Sequence, residues 1–378
     1  MNKTFVQTIF ETIVIVLFLT IIGAPPLCCI LSSHKKWWSN TEKRALASFP
    51  EIPFNSKTLL QFPKGFEDYY NDHFGFRDVL TRRYHREMKK RFGQSGIPEV
   101  IIGKEGWYFY AADQLLDDFR GLLPLTEKQL NSWREDHVRK RNWLAKQGIR
   151  YLLVLVPDKQ TIYPEYLPDY FRKAKGTTRI EQLMEYLKQD RDVTILDLRP
   201  SLLNAKSEKR LYQKTDSHWN DYGAFVGYKE MMNRISQWFP KEQFKFDFYF
   251  HPDRVTERPG GDLVRMLGLH ETIKEVWPLL KERHFCSQPL KPNVEMENQE
   301  MIGEPFMEGC KDANLRALVF RDSFFELVRP FLSENFQQVV YLWQIYNQKN
   351  VEILIDYFHP NLVIEERIER LGFRGLKE

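Results

Sequence analysis

Asp216 and His218 stand two residues apart in LYQKTDSHWNDYGA (211–224), and Ser323 stands in ALVFRDSFFELV (317–328), where an apolar run gives way to a polar turn. Together they offer a nucleophile, a base and a residue to orient the base. A serine hydroxyl attacks poorly until a histidine nitrogen can take its proton. A carboxylate on the other ring nitrogen then fixes the tautomer and stabilises the imidazolium formed during attack. In an extended or irregular segment residues i and i+2 point the same way, so the Asp-x-His spacing suits such a contact. Each piece also has an ordinary reading. Asp-x-His pairs are common, and a serine after a strand is often a helix N-cap, here for a helix starting at Phe324.

These residues need a scaffold. The run 151–156 is continuous, apolar and bounded by Gly148 and Pro157, as a buried parallel strand would be. Further strands are expected at 193–198, 317–320, 338–342 and 362–364. Helical patterns at 178–188, 222–238, 324–334 and 351–358 alternate with them, and a longer helix opens at Thr126 and runs to about Gln147, where Gly148 ends it. This alternation predicts an α/β fold with a parallel sheet covered by helices. In such sheets function collects at the carboxyl ends of the strands, which groups Ser323 with Asp158 and Lys159. Upstream, 57–70 and 78–92 read as helices separated at Gly75, and 100–102 with 107–110 as a hairpin across Gly103 to Gly106. Residues 37–53 read as an irregular lead. Residues 282–314, with Pro289, Pro292 and Pro305, read as a long loop.

Composition bounds the function. With 55 basic and 51 acidic side chains the net charge is +4, which does not suggest a nucleic-acid partner. Aromatic residues make up 14 % of the chain, with nine Trp and 17 Tyr, a supply that serves a core and also suits a sugar ligand. No Cys/His grouping has metal-ligand spacing. Asp216 and His218 joined by His251 or His270 form no specific set. Cys286 and Cys310 bracket the 282–314 segment and are candidates for a disulfide in an oxidising compartment, with free buried thiols as the other reading.

Seven segments, taken in order, carry a resemblance: EKRALASFP (42–50), FEDYYNDHFGFRD (66–78), VIIGKEGWYFY (100–110), VLVPDKQTIYPEYLP (154–168), TDSHWNDYGA (215–224), GGDLVRMLGL (260–269) and VFRDSFF (319–325). The chain after residue 40 resembles the SGNH-hydrolase-like O-acetyltransferases of the alginate AlgJ and AlgX type, including DHHW-like relatives. The resemblance implies an SGNH-hydrolase-like fold and a catalytic set of Ser323, His218 and Asp216, in the chain order Asp, His, Ser. It implies transfer of an acetyl group through an acetyl-serine to hydroxyls of a cell-envelope or extracellular polysaccharide, with no cofactor. Backbone amides near Ser323 would hold the oxyanion, with Arg321 as a candidate side-chain donor. Trp219, Lys159 and Tyr163 are candidates to line a glycan groove, against a packing role that suits Trp219 better. A carbohydrate acetyl esterase with the same triad and a non-catalytic glycan-binding assembly protein are the alternatives. The chain ends soon after VIEERIER, which favours the simpler AlgJ-like layout.

The N-terminus adds a location. TIVIVLFLTIIGAPPLCCIL (12–31) is 20 uncharged, mainly apolar residues, long enough to span a bilayer as a helix. Pro25 and Pro26 are expected to kink it and Gly23 to loosen it. A cleaved signal peptide is the rival, but only Lys3 is basic ahead of the long apolar stretch, so an uncleaved anchor is expected. Cys28 and Cys29 lack a preceding small residue for a lipoprotein site and fall within the helix. Lys3 against Lys35 and Lys36 leaves orientation undecided by charge. The resemblance implies a cytoplasmic stub and anchor over 1–38 in a bacterial cell membrane. It places the enzyme domain, 39–378, on the periplasmic or extracellular side, fed with acetyl groups by a membrane-bound O-acyltransferase.

Overall fold

The computed structural model describes residues 3–31, 38–39, 44–52, 56–190, 192–246, 250–280, 286–290 and 301–373. Lys35, Lys36, part of the irregular lead and much of the 282–314 segment lie outside them. The chain divides into two compact units, one of residues 1–97 with 264–273, the other of 98–263 with 274–378.

The first unit is helical. One helix runs unbroken from Lys3 to Leu31 with Pro25 and Pro26 inside it, so the prolines do not end it. Within it Gln7–Cys28 is long and apolar enough to cross a membrane. Ile13, Leu17, Phe18, Leu19 and Ile21 are exposed, whereas a core helix would bury them. Strands β1 (Trp38–Ser39) and β2 (Arg44–Ala45) pair antiparallel inside the expected irregular lead. Helices Ser56–His73 and Arg77–Phe92 meet at Gly75, where a Cβ would lie 2.3 Å from the Pro25 carbonyl oxygen. Glycine is required there by close approach. His85 Nδ1 lies 3.0 Å from the Leu267 carbonyl oxygen, which satisfies a buried ring.

The second unit carries the sheet. Its strands are β3 (Val100–Ile102), β4 (Tyr108–Tyr110), β5 (Arg150–Val156), β6 (Ile195–Asp197), β7 (Phe250–Pro259), β8 (Lys274–Leu280), β9 (Gln288–Leu290), β10 (Phe306–Gly309), β11 (Arg316–Phe320), β12 (Gln338–Leu342) and β13 (Leu362–Ile368). Seven of them form one sheet in the order β6-β5-β13-β11-β12-β10-β9. The five from β6 to β12 are parallel, while β10 and β9 add antiparallel at one edge. β3 pairs with β4 as the expected hairpin, and β7 with β8 as a second antiparallel pair that hydrophobic periodicity does not announce.

Alternation along the strands explains why both faces are covered. Leu152, Val154, Val156 and Val319 join Leu202, Tyr228, Met231, Phe331 and Leu332 in one core layer. Leu153, Leu155, Leu318 and Phe320 join Trp133, Leu144, Leu183, Val351 and Leu354 in the other. Strands buried on both sides read as continuous apolar runs, which is why β5 was legible. Capping boxes at Thr126 with Gln129 and at Thr178 with Glu181 start the helices Glu127–Ala145 and Arg179–Tyr186 where the sequence signals them.

Three expectations are corrected. β13 extends beyond Ile364 through Glu365, Glu366 and Arg367, which are buried despite their charge. The 282–314 segment is not wholly a loop: β9 and β10 lie in it, with Pro289 on the edge strand where a missing N–H is tolerated. The helix expected from Phe324 to Glu334 is a 3₁₀ turn, Ser323–Leu327, followed by the short helix Arg329–Ser333, because Pro330 cannot donate inside a continuous helix.

Cys286 and Cys310 are joined by a disulfide that ties the start of β9 to the end of β10, 24 residues apart. Loop-closure entropy for that spacing is worth about 3 kcal/mol. Replacing both cysteines by serine is expected to lower the unfolding free energy by about that amount, read as a lower urea midpoint with a steeper slope, because the unfolded chain loses its crosslink and expands.

Candidate active site

β11 delivers Arg321, Asp322 and Ser323 to the carboxyl edge of the sheet. The turn is held by Asp322. Its Oδ1 accepts the Phe324 N–H at 2.9 Å and its Oδ2 the Ile368 N–H at 2.8 Å, while its own N–H donates to Glu366 Oε2 at 2.9 Å. Asp322, not Ser323, is therefore the cap of the following turn, and the Ser323 hydroxyl is left for other work. Burial and the nearby Asp322 carboxylate push the Glu366 pKa well above the carboxylate range, and Glu366 braces this turn by accepting the Asp322 N–H.

The 211–220 segment arrives from the neighbouring strand ends. The Lys159 ammonium, just past β5, donates to the carbonyl oxygens of Gln213 (3.0 Å), Lys214 (3.2 Å) and Asp216 (2.6 Å). Tyr212 pairs with Trp219 as an isolated bridge, and the Tyr212 hydroxyl donates to the Pro157 carbonyl. These contacts fold the segment into a loop that aims His218 at β11.

The three residues singled out first come together. His218 Nε2 lies 2.8 Å from Ser323 Oγ, and His218 Nδ1 lies 2.7 Å from Asp216 Oδ1. Asp216 also accepts the His218 backbone N–H at 3.0 Å on Oδ1 and the Asp262 N–H at 3.0 Å on Oδ2. A second carboxylate, Asp262, places Oδ2 3.5 Å from His218 Nδ1 and accepts from both the Ser217 N–H (2.7 Å) and the Ser217 hydroxyl (2.5 Å). The Phe324 ring packs 4.6 Å from the imidazole.

The electrostatics follow from these contacts. Burial alone would raise the Asp216 pKa, but hydrogen bonds and charge from His218 outweigh it and hold the carboxyl far below the usual range. Burial alone would lower His218. The hydrogen bond and charge of Asp216, helped by Asp262, reverse this and raise it above 6.5. Burial brings Lys159 down to about 8 although Asp216 and Asp262 oppose it.

Asp262 is the site residue that sequence reasoning missed. Its signal is the Gly260-Gly261 pair before it. A Cβ on Gly261 would lie 2.4 Å from Asp216 Cβ and 2.5 Å from its Oδ2, so only glycine lets Asp262 close over the dyad. Gly261→Ala is expected to displace Asp216, lower kcat about 100-fold and cost roughly 1–3 kcal/mol of stability. Steady-state kinetics with urea unfolding measures both; an unchanged kcat would show that the dyad tolerates the shift.

The candidate groove residues are buried, as the preferred packing role of Trp219 expects and contrary to a groove role for Lys159 and Tyr163. Trp219 is 1 % exposed and its indole N–H donates to the Phe324 carbonyl at 2.8 Å, so it packs under the site. Lys159, 2 % exposed, is committed to its three carbonyls. Tyr163 is buried, its hydroxyl accepting the Leu211 N–H at 2.9 Å. None of the three presents a surface to a glycan. Arg321 is also buried. It pairs with Glu326 at 3.1 Å, lies 4.4 Å from the Trp343 ring centre and donates to the Asp322 carbonyl, contacts that brace the turn. The Phe324 amide is engaged by Asp322, which removes one backbone donor expected near Ser323.

Among the described residues, Asp216, His218 and Asp262 form the grouping whose ligand atoms lie close enough to hold a metal, within 4.8 Å of one another. Each of those side chains is already engaged in hydrogen bonds, which a metal would have to replace. The side chain of His251 is outside the described residues, and His270 pairs with Glu271 at 3.2 Å.

Comparison with known proteins fits this architecture. The model of the family "SGNH hydrolase-like domain, acetyltransferase AlgX" matches residues 100–293, just over half of the chain, including Asp216, His218 and Asp262 but ending before Ser323. A probable alginate O-acetylase AlgJ from Pseudomonas syringae pv. tomato is 26% identical over 238 residues, 62% of this chain and 58% of that protein. Its counterpart from Azotobacter vinelandii is 26% identical over 201 residues, 50% of this chain and 46% of that one. The chain thus spans about half the length of the curated relatives it matches. Among solved structures, Bacillus cereus PatB1 aligns with a TM-score of 0.49 at 18% identity, over 67% of this chain and 94% of that one. The O-acetyltransferase domain of Pseudomonas putida AlgJ aligns with a TM-score of 0.44 at 17% identity, over 74% and 94%. The match over residues 100–293 shows that this chain belongs to the family of SGNH hydrolase-like domains of the acetyltransferase AlgX type.

Proposed function

We propose that the chain is an O-acetyltransferase that moves an acetyl group through Ser323 to hydroxyls of a polysaccharide. The observation that carries the reading is the continuous line from Ser323 Oγ through His218 to Asp216, at the carboxyl ends of the strands. The Ser323 oxygen attacks the donor's carbonyl carbon as His218 Nε2 takes the hydroxyl proton. The tetrahedral intermediate collapses, the donor's alcohol or thiol leaves with that proton, and Ser323 carries the acetyl ester. An acceptor hydroxyl then gives its proton to His218 and attacks the ester, and Ser323 recovers a proton as it leaves.

The acceptor as a polysaccharide is supported by the relatives, which are named as alginate O-acetylases. The exposed apolar face of Gln7–Cys28 supports a single membrane anchor. With the catalytic domain on the periplasmic or extracellular side, a membrane-bound O-acyltransferase is the fitting acetyl donor.

Incubating the whole chain with a chromogenic acetyl ester and a glycan acceptor separates the outcomes. Acetylated glycan is the expected product. Acetate release with no acetylated glycan would make the protein an esterase, and no reaction on either would refute acyl transfer.

The pH profile carries a second expectation. His218 must be neutral to accept the serine proton, and its pKa is raised, so kcat/KM should climb with pH through a midpoint above 6.5 and then level off. Removing the Asp216 charge should move that midpoint down. A midpoint below 6.5 in the unmutated protein would contradict the arrangement.

A further inference from the structure

The Arg77–Phe92 helix holds a charge that the rest of the chain lacks. Its 16 residues carry seven basic and two acidic side chains, a net +5, while all other residues together hold 48 basic against 49 acidic. The inner face of the helix is occupied. Thr81, His85 and Met88, at i, i+4 and i+7, are turned from solvent, and His85 meets the Leu267 carbonyl oxygen. Val79, Arg83, Arg86 and Lys90, at i, i+4, i+7 and i+11, run along the opposite side, and all four are exposed. The two acids, Asp78 and Glu87, lie off this stripe, and Glu87 is paired with Arg91 at 2.8 Å. Among the described residues Arg83, Arg86 and Lys90 have no ion pair.

The stripe begins where the apolar span ends. Gly75 sits against the Pro25 carbonyl, and a Cβ on it would lie 2.9 Å from Cys28 Cβ, so the turn before the helix packs on the last residues of Gln7–Cys28. Val79 is in the first helical turn, about one 5.4 Å pitch from that contact. Phe76, Val79 and Leu80 are exposed around the start of the stripe. Basic and apolar side chains mixed on one exposed helix face suit a bilayer surface, where the apolar groups enter the headgroup boundary and the cations meet phosphates. A soluble acidic polysaccharide would match the charges but leave Phe76, Val79 and Leu80 in water.

We propose that the stripe of Val79, Arg83, Arg86 and Lys90 binds anionic phospholipid headgroups of the bilayer that holds the span, laying this helix along the membrane surface. This rests on the reading of Gln7–Cys28 as a membrane anchor and extends it.

The test uses the full chain in lipid nanodiscs, with the photo-crosslinking amino acid p-benzoylphenylalanine in place of Val79 and lipid adducts read by peptide mass spectrometry. Discs of mixed phosphatidylglycerol and phosphatidylcholine are compared with discs of phosphatidylcholine alone, each with and without soluble polymannuronate. Adduct yield is expected to be at least about fivefold higher in the phosphatidylglycerol discs and to fall toward the phosphatidylcholine level in high salt. Arg86→Gln with Lys90→Gln, at exposed positions beyond the first two turns, should lower it several-fold, because those turns reach headgroups only when the helix lies flat. No adduct at Val79, equal yields in both discs, indifference to the double variant, or label on polymannuronate in place of lipid would overturn the proposal. A second probe in place of Leu17 reads the anchor separately. Its lipid adducts form in both kinds of disc if Gln7–Cys28 spans them; their absence refutes the anchor, while the Val79 yields still decide the stripe.

Discussion

Replacing Ser323 with alanine is expected to lower acetyl transfer by about 10⁴-fold or more, the range in which removal of a triad nucleophile falls. The hydroxyl lies 2.8 Å from the base, and no other described hydroxyl stands at His218 Nε2 to replace it. The Trp219 indole bond to the Phe324 carbonyl and the Asp322 cap do not involve the Ser323 side chain, so the variant keeps its fold. His218→Ala should cost about as much, and the double variant little more, because residues that act as a unit are not additive. Multiplied losses in the double variant would show two independent contributions and break the triad assignment.

Asp216→Asn is expected to lower kcat by about 10²–10⁴-fold with KM nearly unchanged. Oδ1 of Asp216 faces two donors, the His218 backbone N–H and Nδ1, and Oδ2 faces the Asp262 N–H. An asparagine must turn its NH₂ toward one of these positions. Turned to Nδ1, it favours the wrong imidazole tautomer. Turned to Asp262, it sets donor against donor and pushes that residue off the dyad. Asp262→Asn should cost much less, about tenfold, because its oxygen is 3.5 Å from Nδ1 and only supplements the charge of Asp216. Equal losses at the two positions would mean that the carboxylates share the orienting role.

The sequence showed most clearly what rests on local pattern. β5, β11 and β12 are apolar runs of strand length, and the capped helices begin where Thr126 and Thr178 announce them. The catalytic candidates were legible because residue type and spacing state their chemistry. What escaped depends on distant partners. Glu365 lies inside β13 because Lys140, Arg367 and the Tyr151 hydroxyl satisfy it, and Glu366 because it accepts the Asp322 N–H and burial raises its pKa. No local pattern reports such pairings. β9 and β10 hide among prolines and are stabilised by pairing, β10 against β12 and β9 against β10. Asp262 is 46 residues from Asp216, and only the two glycines before it hint at a close approach. Lys159 and Tyr163 suit sugars by type and were candidates for a groove, yet each has a buried hydrogen-bonding duty, while Trp219 takes the packing role that suited it better.

The central claim is an acetyl-serine at position 323, and the most direct measurement is peptide mass spectrometry of the chain quenched soon after mixing with an acetyl ester. A mass gain of one acetyl group is expected on the peptide containing Ser323, lost in Ser323→Ala and removed when a glycan acceptor is added. Acetyl label on another residue, or turnover with an unmodified Ser323 peptide at every quench time, would contradict it.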